Sequence, residues 1–379
     1  MKNHVLLATI ANAAVALSPL PTLAQNLGNK DIEPNETIAS ASPVTLTANQ
    51  SFEGTSTGSS TQSGAGASMD FFRITASGLT GIRRNRLLIT TTGTAGHTGA
   101  IFAQTVTNGV AVDAWEIFQQ TSINTTPARM LQFYSVGVPS VELLVRITGT
   151  AQTFTPYRVQ LVSEAAPRIT GPVGLIAGEF SITTSGLSHT TDTELVLFNA
   201  TTFAPIAWND NNPAPFSTLT PTLAAGDYVL AIGSWNTVSY LLPALTEPLQ
   251  NGQIVPSAGF IAGGNTQTPV DLSVRIRGGN NGGGVNTGTY TSIPVTRPGP
   301  YGVAFIDLTV RCPGDVAGPG QRAGGDGSKT ADDLIVYLNW FFARNAQADV
   351  AGPGQSSTPD GQFTADDLIV FLSGFFAVC

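Results

Sequence analysis

The sequence has little of the charge that nucleic-acid-binding proteins depend on. Charged residues make up only 11% of its 379 residues, against about 25% in an ordinary soluble domain. Its 25 acidic residues outnumber its 17 basic residues, which gives a net charge of −8. A phosphate-binding surface needs clustered lysine and arginine, so this balance argues against nucleic acid as a partner.

Residues suited to catalysis are also scarce. Only His97 and His189 follow the first 24 residues, and His97 lies in a glycine-bounded turn. Ser188, Asp192 and Glu194 surround His189, but sequence neighbours seldom converge as a triad, and no G-x-S-x-G motif accompanies them. No HExxH, P-loop or dinucleotide-binding motif occurs. A glycosidase-like pair of carboxylates is defined in space and not by spacing, so that class stays open.

Cysteine occurs twice, at Cys312 and Cys379, at the two ends of the last 68 residues. In an oxidising compartment the pair predicts one disulfide that closes this segment. Closing a loop of that length stabilises a protein by about 4 kcal/mol if chain entropy alone is considered. Lipid attachment through one thiol, or two unpaired cysteines, are the alternatives.

Long apolar runs are missing as well. No segment after the N-terminus has about 18 uninterrupted apolar residues, so no membrane span is predicted. The N-terminus itself combines Lys2, the apolar run 5–17 and the small residues before Gln25. This pattern predicts a signal peptide, residues 1–24, cleaved after Ala24. We therefore expect a secreted protein, extracellular or associated with the cell surface.

Short apolar or alternating runs separated by Gly, Asn, Pro, Ser and Thr fill most of the remaining chain, which predicts a mainly β protein. The pattern restarts once, so we expect two tandem antiparallel β-sandwiches, at 31–165 and 166–277. A strand at 301–311 is expected to complete the second. The Gly/Asn-rich stretch 278–289 predicts a linker or loop.

Two pairs of segments resemble the bacterial pre-peptidase C-terminal domain. DIEPNETIASASPVTL (31–46) and MDFFRITA (69–76) are similar to its start, an acidic-Pro-Asn element and an aspartate before an aromatic strand. DTELVLFNATTFAPIAWNDN (192–211) and LAAGDYVLAIGSW (223–235) are similar to its later half. The resemblance implies jelly-roll-like sandwiches that accompany secreted enzymes or surface proteins and are not themselves catalytic.

A repeat occupies the last 70 residues. DVAGPGQ stands at 315–321 and again at 349–355, and TADDLIV stands at 330–336 and again at 364–370. Oxygen ligands on a tight turn suit Ca²⁺, and the glycine after the middle aspartate of each copy permits that turn. Counted as EF-hand-like loops with one ion in each copy, the ligands are Asp315, Asp326, Ser328, Thr330 and Asp333, and then Asp349, Asp360, Gln362, Thr364 and Asp367.

The loops depart from an ordinary EF-hand. Asp326 stands eleven positions after Asp315, where an ordinary loop has its fifth-position ligand four positions after the first, and Ala317 stands at position 3, where Asn or Asp is usual. A carbonyl of the Gly-Pro-Gly-Gln turn is a possible substitute. Alternatively, the aspartates are only helix caps and solvated charges. Against that, eight Asp and three basic residues give residues 312–379 a net charge of −5, which would repel itself without counter-ions.

Each copy ends in an apolar helix, predicted at 332–344 and 366–378. Being apolar almost all round, the helices should pack against each other. Their aromatic excess predicts either core or a docking face: Tyr337, Trp340, Phe341, Phe342, Phe371, Phe375 and Phe376.

With CPGD at its start, DVAGPGQ loops and a terminal cysteine, this segment resembles a GC-type dockerin, although Val-Cys replaces the usual Gly-Cys end. A dockerin is a duplicated calcium-binding loop-helix module that attaches exported proteins to a cohesin. The resemblance implies a cohesin-like scaffold partner, and Asp333 and Asp367 match its choice of Asp as the last ligand.

We therefore expect an exported, non-catalytic protein attached to a cell-surface or extracellular scaffold through its calcium-dependent, dockerin-like C-terminal module. A polysaccharide-active hydrolase with the same anchor is one alternative, and a carbohydrate-binding protein with Trp115, Trp208 or Trp235 as a stacking platform is another. One further cluster predicts either a calcium site in a sandwich or a set of polar turns: Asp192, Asn209, Asp210, Asn211 and Asp227.

Overall fold

The computed structural model describes residues 25–56, 69–91, 97–107, 110–123, 129–149, 155–172, 175–210, 213–234, 238–239, 253–254, 260–262, 271–278, 291–296, 302–312, 314–323, 325, 327–356 and 359–376. Several predictions lie outside the described residues: the signal peptide 1–24, the linker from 279 on, Asn211, Trp235, Asp326 and Cys379. So do the side chains of His97, Trp115 and Asp210.

The described strands up to residue 165 are β1 (Asn26–Asn29), β2 (Ser42–Leu46), β3 (Ser51–Ser56), β4 (Met69–Ser77), β5 (Ile82–Thr91), β6 (His97–Thr107), β7 (Val110–Ile123), β8 (Arg129–Val136), β9 (Ser140–Gly149) and β10 (Thr155–Ala165). Those that follow, up to residue 239, are β11 (Arg168–Thr170), β12 (Leu175–Ile176), β13 (Gly178–Glu179), β14 (Ser181–Thr183), β15 (Thr193–Asn199), β16 (Pro205–Asp210), β17 (Thr218–Leu219), β18 (Thr222–Leu223), β19 (Gly226–Ser234) and β20 (Val238–Ser239).

The remaining described strands are β21 (Gln253–Ile254), β22 (Phe260–Ala262), β23 (Asp271–Arg277), β24 (Thr291–Thr296), β25 (Ala304–Arg311), β26 (Ala317–Gly318) and β27 (Arg322–Ala323). The helices are α1 (Ala331–Phe342), a short 3-10 helix (Ala346–Ala348) and α2 (Ala365–Phe376). The prediction of a mainly β protein is therefore confirmed. Among the described residues, no helix is long and apolar enough to cross a lipid bilayer.

The first β unit has two sheets. Their strand orders are β1-β3-β10-β5-β8-β22-β20 and β2-β4-β9-β6-β21, with β7 also paired to β6. Alternate residues of a strand point to opposite faces, so β2 buries Ser42, Val44 and Leu46 and exposes the residues between them. Buried side chains from both sheets, among them Phe52 and Phe72, form one apolar cluster.

Pairing among the described strands is mostly antiparallel, but four of these pairs are parallel: β1 with β3, β2 with β4, and both β11 and β12 with β25. The sequence predicts antiparallel strands throughout. The alternation of apolar and polar residues along a strand does not depend on the direction of its neighbour, so it could not reveal these exceptions. Strands β2 and β4 run parallel because the chain visits the other sheet, as β3, between them.

The second unit combines the sheet β11-β25-β19-β15-β16, with β12 also on β25, the sheet β17-β14-β23-β24 and the pair β13-β18. Side chains from its larger sheets, among them Leu195, Leu230, Val274 and Ile306, form a second apolar cluster. Strand β25 is the segment predicted at 301–311. It lies between β11 and β19 and leads the chain directly into the C-terminal module.

A third buried cluster joins the two units. The Tyr134 ring of the first unit packs against Phe305 of the second, with ring centroids 5.3 Å apart, and its hydroxyl accepts a hydrogen bond from Val303 N at 3.1 Å. Strands β20, β21 and β22, which fall within the predicted second sandwich, pair in the sheets of the first unit. The two units therefore share both strands and core.

Candidate functional site

The C-terminal module begins directly at the end of strand β25. The Arg311 guanidinium donates a hydrogen bond to the Gly325 carbonyl, so the strand end is fixed to the first loop of the module. Cys312 is buried and disulfide-bonded. Cys379 is the only other cysteine of the sequence and lies outside the described residues, so the pairing itself stays a prediction.

The Asp333 carboxylate, predicted as the last ligand of the first loop, is fully buried at the start of α1. Its Oδ1 accepts hydrogen bonds from Val316 N and Ala317 N, both at 2.7 Å. Its Oδ2 accepts from Thr330 N at 2.7 Å and from Thr330 Oγ1 at 3.3 Å. Four donors therefore surround one carboxylate, and Thr330 and Asp333 together form a capping box.

Asp367 repeats this arrangement in the second copy, and it too is fully buried. Its Oδ1 accepts from Val350 N at 2.8 Å and from Ala351 N at 2.9 Å. Its Oδ2 accepts from Thr364 N at 2.8 Å and from Thr364 Oγ1 at 3.5 Å. The agreement between the two copies shows that the repeated letters specify a repeated hydrogen-bond pattern.

Asp332 and Asp366, which directly precede Asp333 and Asp367, also bind the DVAGPGQ heptad of their copy. Gly320 N donates to Asp332 Oδ2 at 3.0 Å. The equivalent bond in the second copy, from Gly354 N to Asp366 Oδ2, has the same length. The DVAGPGQ heptad of each copy therefore lies across the start of the helix that follows it. Its backbone N–H groups face the two adjacent aspartates there, Asp332 with Asp333 or Asp366 with Asp367, which we call the paired aspartates.

The other predicted ligands make local hydrogen bonds. Asp315 is buried and accepts from Gly327 N at 2.8 Å. Asp349 accepts from Asp360 N at 3.2 Å and from Gly361 N at 2.7 Å, so the first and fifth predicted ligands of this loop are neighbours. Two further predicted ligands, Ser328 and Gln362, are exposed.

The helices pack through their equivalent aromatic residues. Tyr337 and Phe371 are buried against each other, and Tyr337 Oη donates to the Ala348 carbonyl at 3.1 Å. Several apolar side chains, partly buried, surround this pair: Val316, Leu334, Trp340, Phe341, Val350, Phe363, Leu368, Leu372 and Phe375. Part of the aromatic excess is therefore core.

Two aromatic residues of the helices lie outside this core. Phe342 is 78% exposed and Phe376 is 77% exposed, at equivalent positions of α1 and α2. Ile335 at 39% and Ile369 at 41% are equivalent as well, two helical turns before each phenylalanine. Each helix therefore presents an isoleucine and a phenylalanine on its outer side. We call Ile335 with Phe342, and Ile369 with Phe376, the two outer stripes.

At the other end of the chain the structure assembles an acidic cluster that the sequence analysis did not assign to a metal. Asp31, Glu33 and Asp70 place carboxylate oxygens within 4.8 Å of one another. Asn35, fully buried beside them, donates from Nδ2 to Asp31 Oδ1 at 2.8 Å. Its Oδ1 is buried, and no donor among the described residues reaches it. Turning the amide over would direct that oxygen towards Asp31.

The N-terminal cluster concentrates negative charge. Burial raises the pKa of the Tyr157 phenol well above its ordinary value, and the carboxylates of Asp70, Asp31 and Glu33 raise it further. Tyr157 Oη donates to Asp70 Oδ2 at 2.8 Å. Burial also raises the pKa of Glu33, with the charges of Glu36 and Asp31 adding to it. Among the described residues, no ion pair reaches Asp31 or Glu33.

The residues around His189 do not resemble a catalytic triad. His189 Nε2 lies 3.1 Å from the Ser273 carbonyl oxygen, and its ring packs edge-on against Phe216. The imidazole is therefore directed at a backbone acceptor and not at Ser188. Burial raises the pKa of the Asp192 carboxyl, and a hydrogen bond from Thr193 N opposes that rise.

The polar residues that the sequence groups into a candidate calcium site of the second unit make hydrogen bonds with different partners. Asn209 Oδ1 accepts from Thr218 N at 2.9 Å, and Asp227 accepts from Thr309 Oγ1 at 2.8 Å. Trp208, one residue of the predicted glycan platform, is half-buried against the cluster that joins the two units. The N-terminal cluster is the one group of three or more acidic, histidine or cysteine side chains that converges within the described residues.

No family model matches the chain, and a comparison with curated proteins finds no match either. The resemblances to a dockerin and to the pre-peptidase C-terminal domain therefore remain interpretations of the motifs.

Proposed function

We propose that this is an exported, non-catalytic protein whose C-terminal module attaches it to a cell-surface or extracellular scaffold. The two β units, as jelly-roll-like sandwiches, form the body that the module anchors. The partner is a scaffold protein with a cohesin-like apolar surface, as the dockerin resemblance implies.

The observation that supports this proposal is the pair of outer stripes. Large exposed aromatic side chains at a protein surface are typical of binding sites, where their burial contributes most of the affinity. Here the same two residue types are exposed at the same positions of two helices, although Val336 and Tyr337 of α1 and Val370 and Phe371 of α2 are buried. Solubility alone would favour polar residues at these positions, as at Asn339 and Ser373 between them.

A retention experiment tests the attachment. The full chain and its Phe342→Ser, Phe376→Ser double variant are expressed in the producing cells, and the fraction held at the surface is measured. Each phenylalanine, once buried by the partner, should contribute about 2 kcal/mol to binding. Losing both contributions should reduce retention by at least about tenfold. Ile206→Ser, which changes an exposed apolar residue on strand β16, is the matched control and should be retained.

Equal retention of the double variant and the parent, with unchanged circular dichroism, would contradict the proposal. A cross-linking group introduced at Asn339, between Ile335 and Phe342, would identify the protein that the module contacts.

A second function is supported by the N-terminal cluster, which we propose binds a hard divalent cation. Three carboxylates are the donor type that Ca²⁺ takes. The Asn35 amide oxygen joins them once the amide is turned over, and a buried amide oxygen without a donor is costly unless something binds it. About 1 mM calcium, the weak end of protein affinities, should raise the melting temperature of the full chain.

The Asp31→Asn, Glu33→Gln double variant should lose most of that rise in melting temperature. Glu36→Gln, which removes a neighbouring carboxylate outside the cluster, should keep it. The same calcium-induced rise in the double variant as in the parent would rule out binding at this cluster.

A further inference from the structure

The buried carboxylates of the C-terminal module have donors where a metal ligand would have a cation. Asp333 and Asp367 each accept four hydrogen bonds, two on each oxygen. A carboxylate offers about four lone-pair sites. Three of them accept backbone N–H groups at 2.7–2.9 Å, and the threonine hydroxyl lies beside the fourth, at 3.3 Å or 3.5 Å. A calcium ion bound to the same oxygens would have to displace N–H groups whose hydrogens already point at them.

The DVAGPGQ heptad also offers N–H donors where calcium would need oxygen ligands. Calcium requires six to eight oxygen ligands, and a carbonyl of the inserted turn would have to supply one in place of Ala317 or Ala351. In the structure the backbone groups of the heptad that face the paired aspartates are N–H donors, from residues 316, 317 and 320 and again from 350, 351 and 354. Donors repel a cation and attract a carboxylate.

Two of the eight aspartates of the module are compensated without an ion. The module carries a net charge of −5, which suggested that counter-ions hold it together. Asp333 and Asp367, however, lie in the first turns of α1 and α2, where the helix dipole favours negative charge. Three backbone N–H groups and a threonine hydroxyl also surround each of these carboxylates and compensate its charge.

We propose that Asp333 and Asp367 are hydrogen-bond clamps that hold each DVAGPGQ turn onto the helix that follows it, and that they are not cation ligands. The module then keeps its fold when calcium is removed. This replaces the sequence prediction in which the same two residues are the last ligands of two calcium loops, and it stands independently of the partner that the outer stripes bind.

The inserted residues now have a structural reason. In both heptads the glycine after proline and the following glutamine have positive φ, +73° and +60° at Gly320 and Gln321, and +72° and +63° at Gly354 and Gln355. This repeated turn aligns the N–H groups with the paired aspartates. The seven extra residues of each loop therefore supply the turn that an amide clamp needs.

Hydrogen exchange of the full chain, followed by mass spectrometry of short peptides, tests the proposal. The amides of Val316, Ala317, Val350 and Ala351 should be protected in chelator, and about 1 mM calcium should change their exchange rates by less than about twofold. A slowing of more than about tenfold on adding calcium would overturn the proposal. The comparison needs no variant.

Asp367→Asn sharpens the test, because it keeps the shape of the side chain and replaces one acceptor by a donor. A clamp predicts faster exchange at residues 350 and 351 in chelator and in calcium alike. A ligand predicts a change in calcium only, and that outcome would overturn the proposal. Asp366→Asn is the control, because it removes the same charge one residue earlier, from a carboxylate that accepts from Gly354 N. It should leave the amides of residues 350 and 351 protected.

Discussion

The rings of Tyr337 and Phe371 stack face to face, with centroids 3.7 Å apart and planes only 3° apart. The two residues occupy the same position in the two copies of the repeat, 34 residues apart. The two copies also share the hydrogen bonds of Asp333 and Asp367, so they have the same local structure and pack through the same residue. The duplication in sequence is therefore also a duplication of local structure.

Phe371→Ala should destabilise the C-terminal module most. The ring is buried against Tyr337, and truncating a buried phenylalanine typically costs about 3–5 kcal/mol. Denaturant unfolding followed through hydrogen exchange of α1 and α2 would measure the loss. Phe376→Ala is the control, because this ring is 77% exposed and its loss should change stability by no more than about 0.5 kcal/mol. Equal effects would show that the stacked pair is not the core.

Tyr337→Phe should have a smaller effect, which isolates the hydroxyl. Tyr337 Oη donates to the Ala348 carbonyl at 3.1 Å, and removing one partner of a buried hydrogen bond costs about 1–3 kcal/mol. The stacking with Phe371 is preserved. The free energy of unfolding of the module should fall by that amount. No change would mean that water takes over at the Ala348 carbonyl.

The helices show what the sequence could and could not predict. Both α1 and α2 follow from their Thr caps and apolar runs, and the structure places them as expected. However, each helix has only one polar residue after its two aspartates, Asn339 or Ser373, which is too little to mark an outer face. The pattern could therefore not separate Tyr337, which is buried, from Phe342, which is exposed. Only the packing of the second copy decides this.

The N-terminal cluster was beyond prediction for a different reason. Asp31 and Asp70 lie 39 residues apart, and neither stands in a recognisable ligand spacing. They meet because Asn35 O accepts from Phe71 N at 2.9 Å, which fixes the segment before β2 to strand β4. Such a contact depends on how strands cross between sheets, which alternation along one strand does not encode.

Gly314→Ala should disturb the closure of the module. A Cβ at this residue would lie 2.6 Å from the backbone of Phe375, and its φ is +80°. The turn that carries Cys312 could then no longer approach the end of α2. We expect slower loss of free thiols on oxidative refolding, measured with a thiol reagent. Gly320→Ala has a similar φ of +73° with nothing within 4 Å, so it separates steric exclusion from backbone strain. Equal rates in the two variants would contradict the steric explanation.

Tyr157 should make the protein sensitive to alkaline pH. Because burial and the neighbouring carboxylates raise its pKa in the folded state, the folded protein retains a proton that the unfolded chain loses above about pH 10. The contribution of this group to stability is complete below that pH, and it falls as the pH rises, by at most about 1.4 kcal/mol per pH unit. Urea unfolding at several pH values would compare the parent with Tyr157→Phe.

The variant should be less stable near neutral pH, since Asp70 loses the donor at 2.8 Å, but its stability should fall less steeply above pH 10 because no phenol remains to ionise. The two curves should therefore converge on the alkaline side. Parallel curves would show that the phenol ionises in the folded protein as easily as in the unfolded chain. In that case the cluster of Asp31, Glu33 and Asp70 would not hold the concentrated negative charge that makes it a candidate for binding a cation.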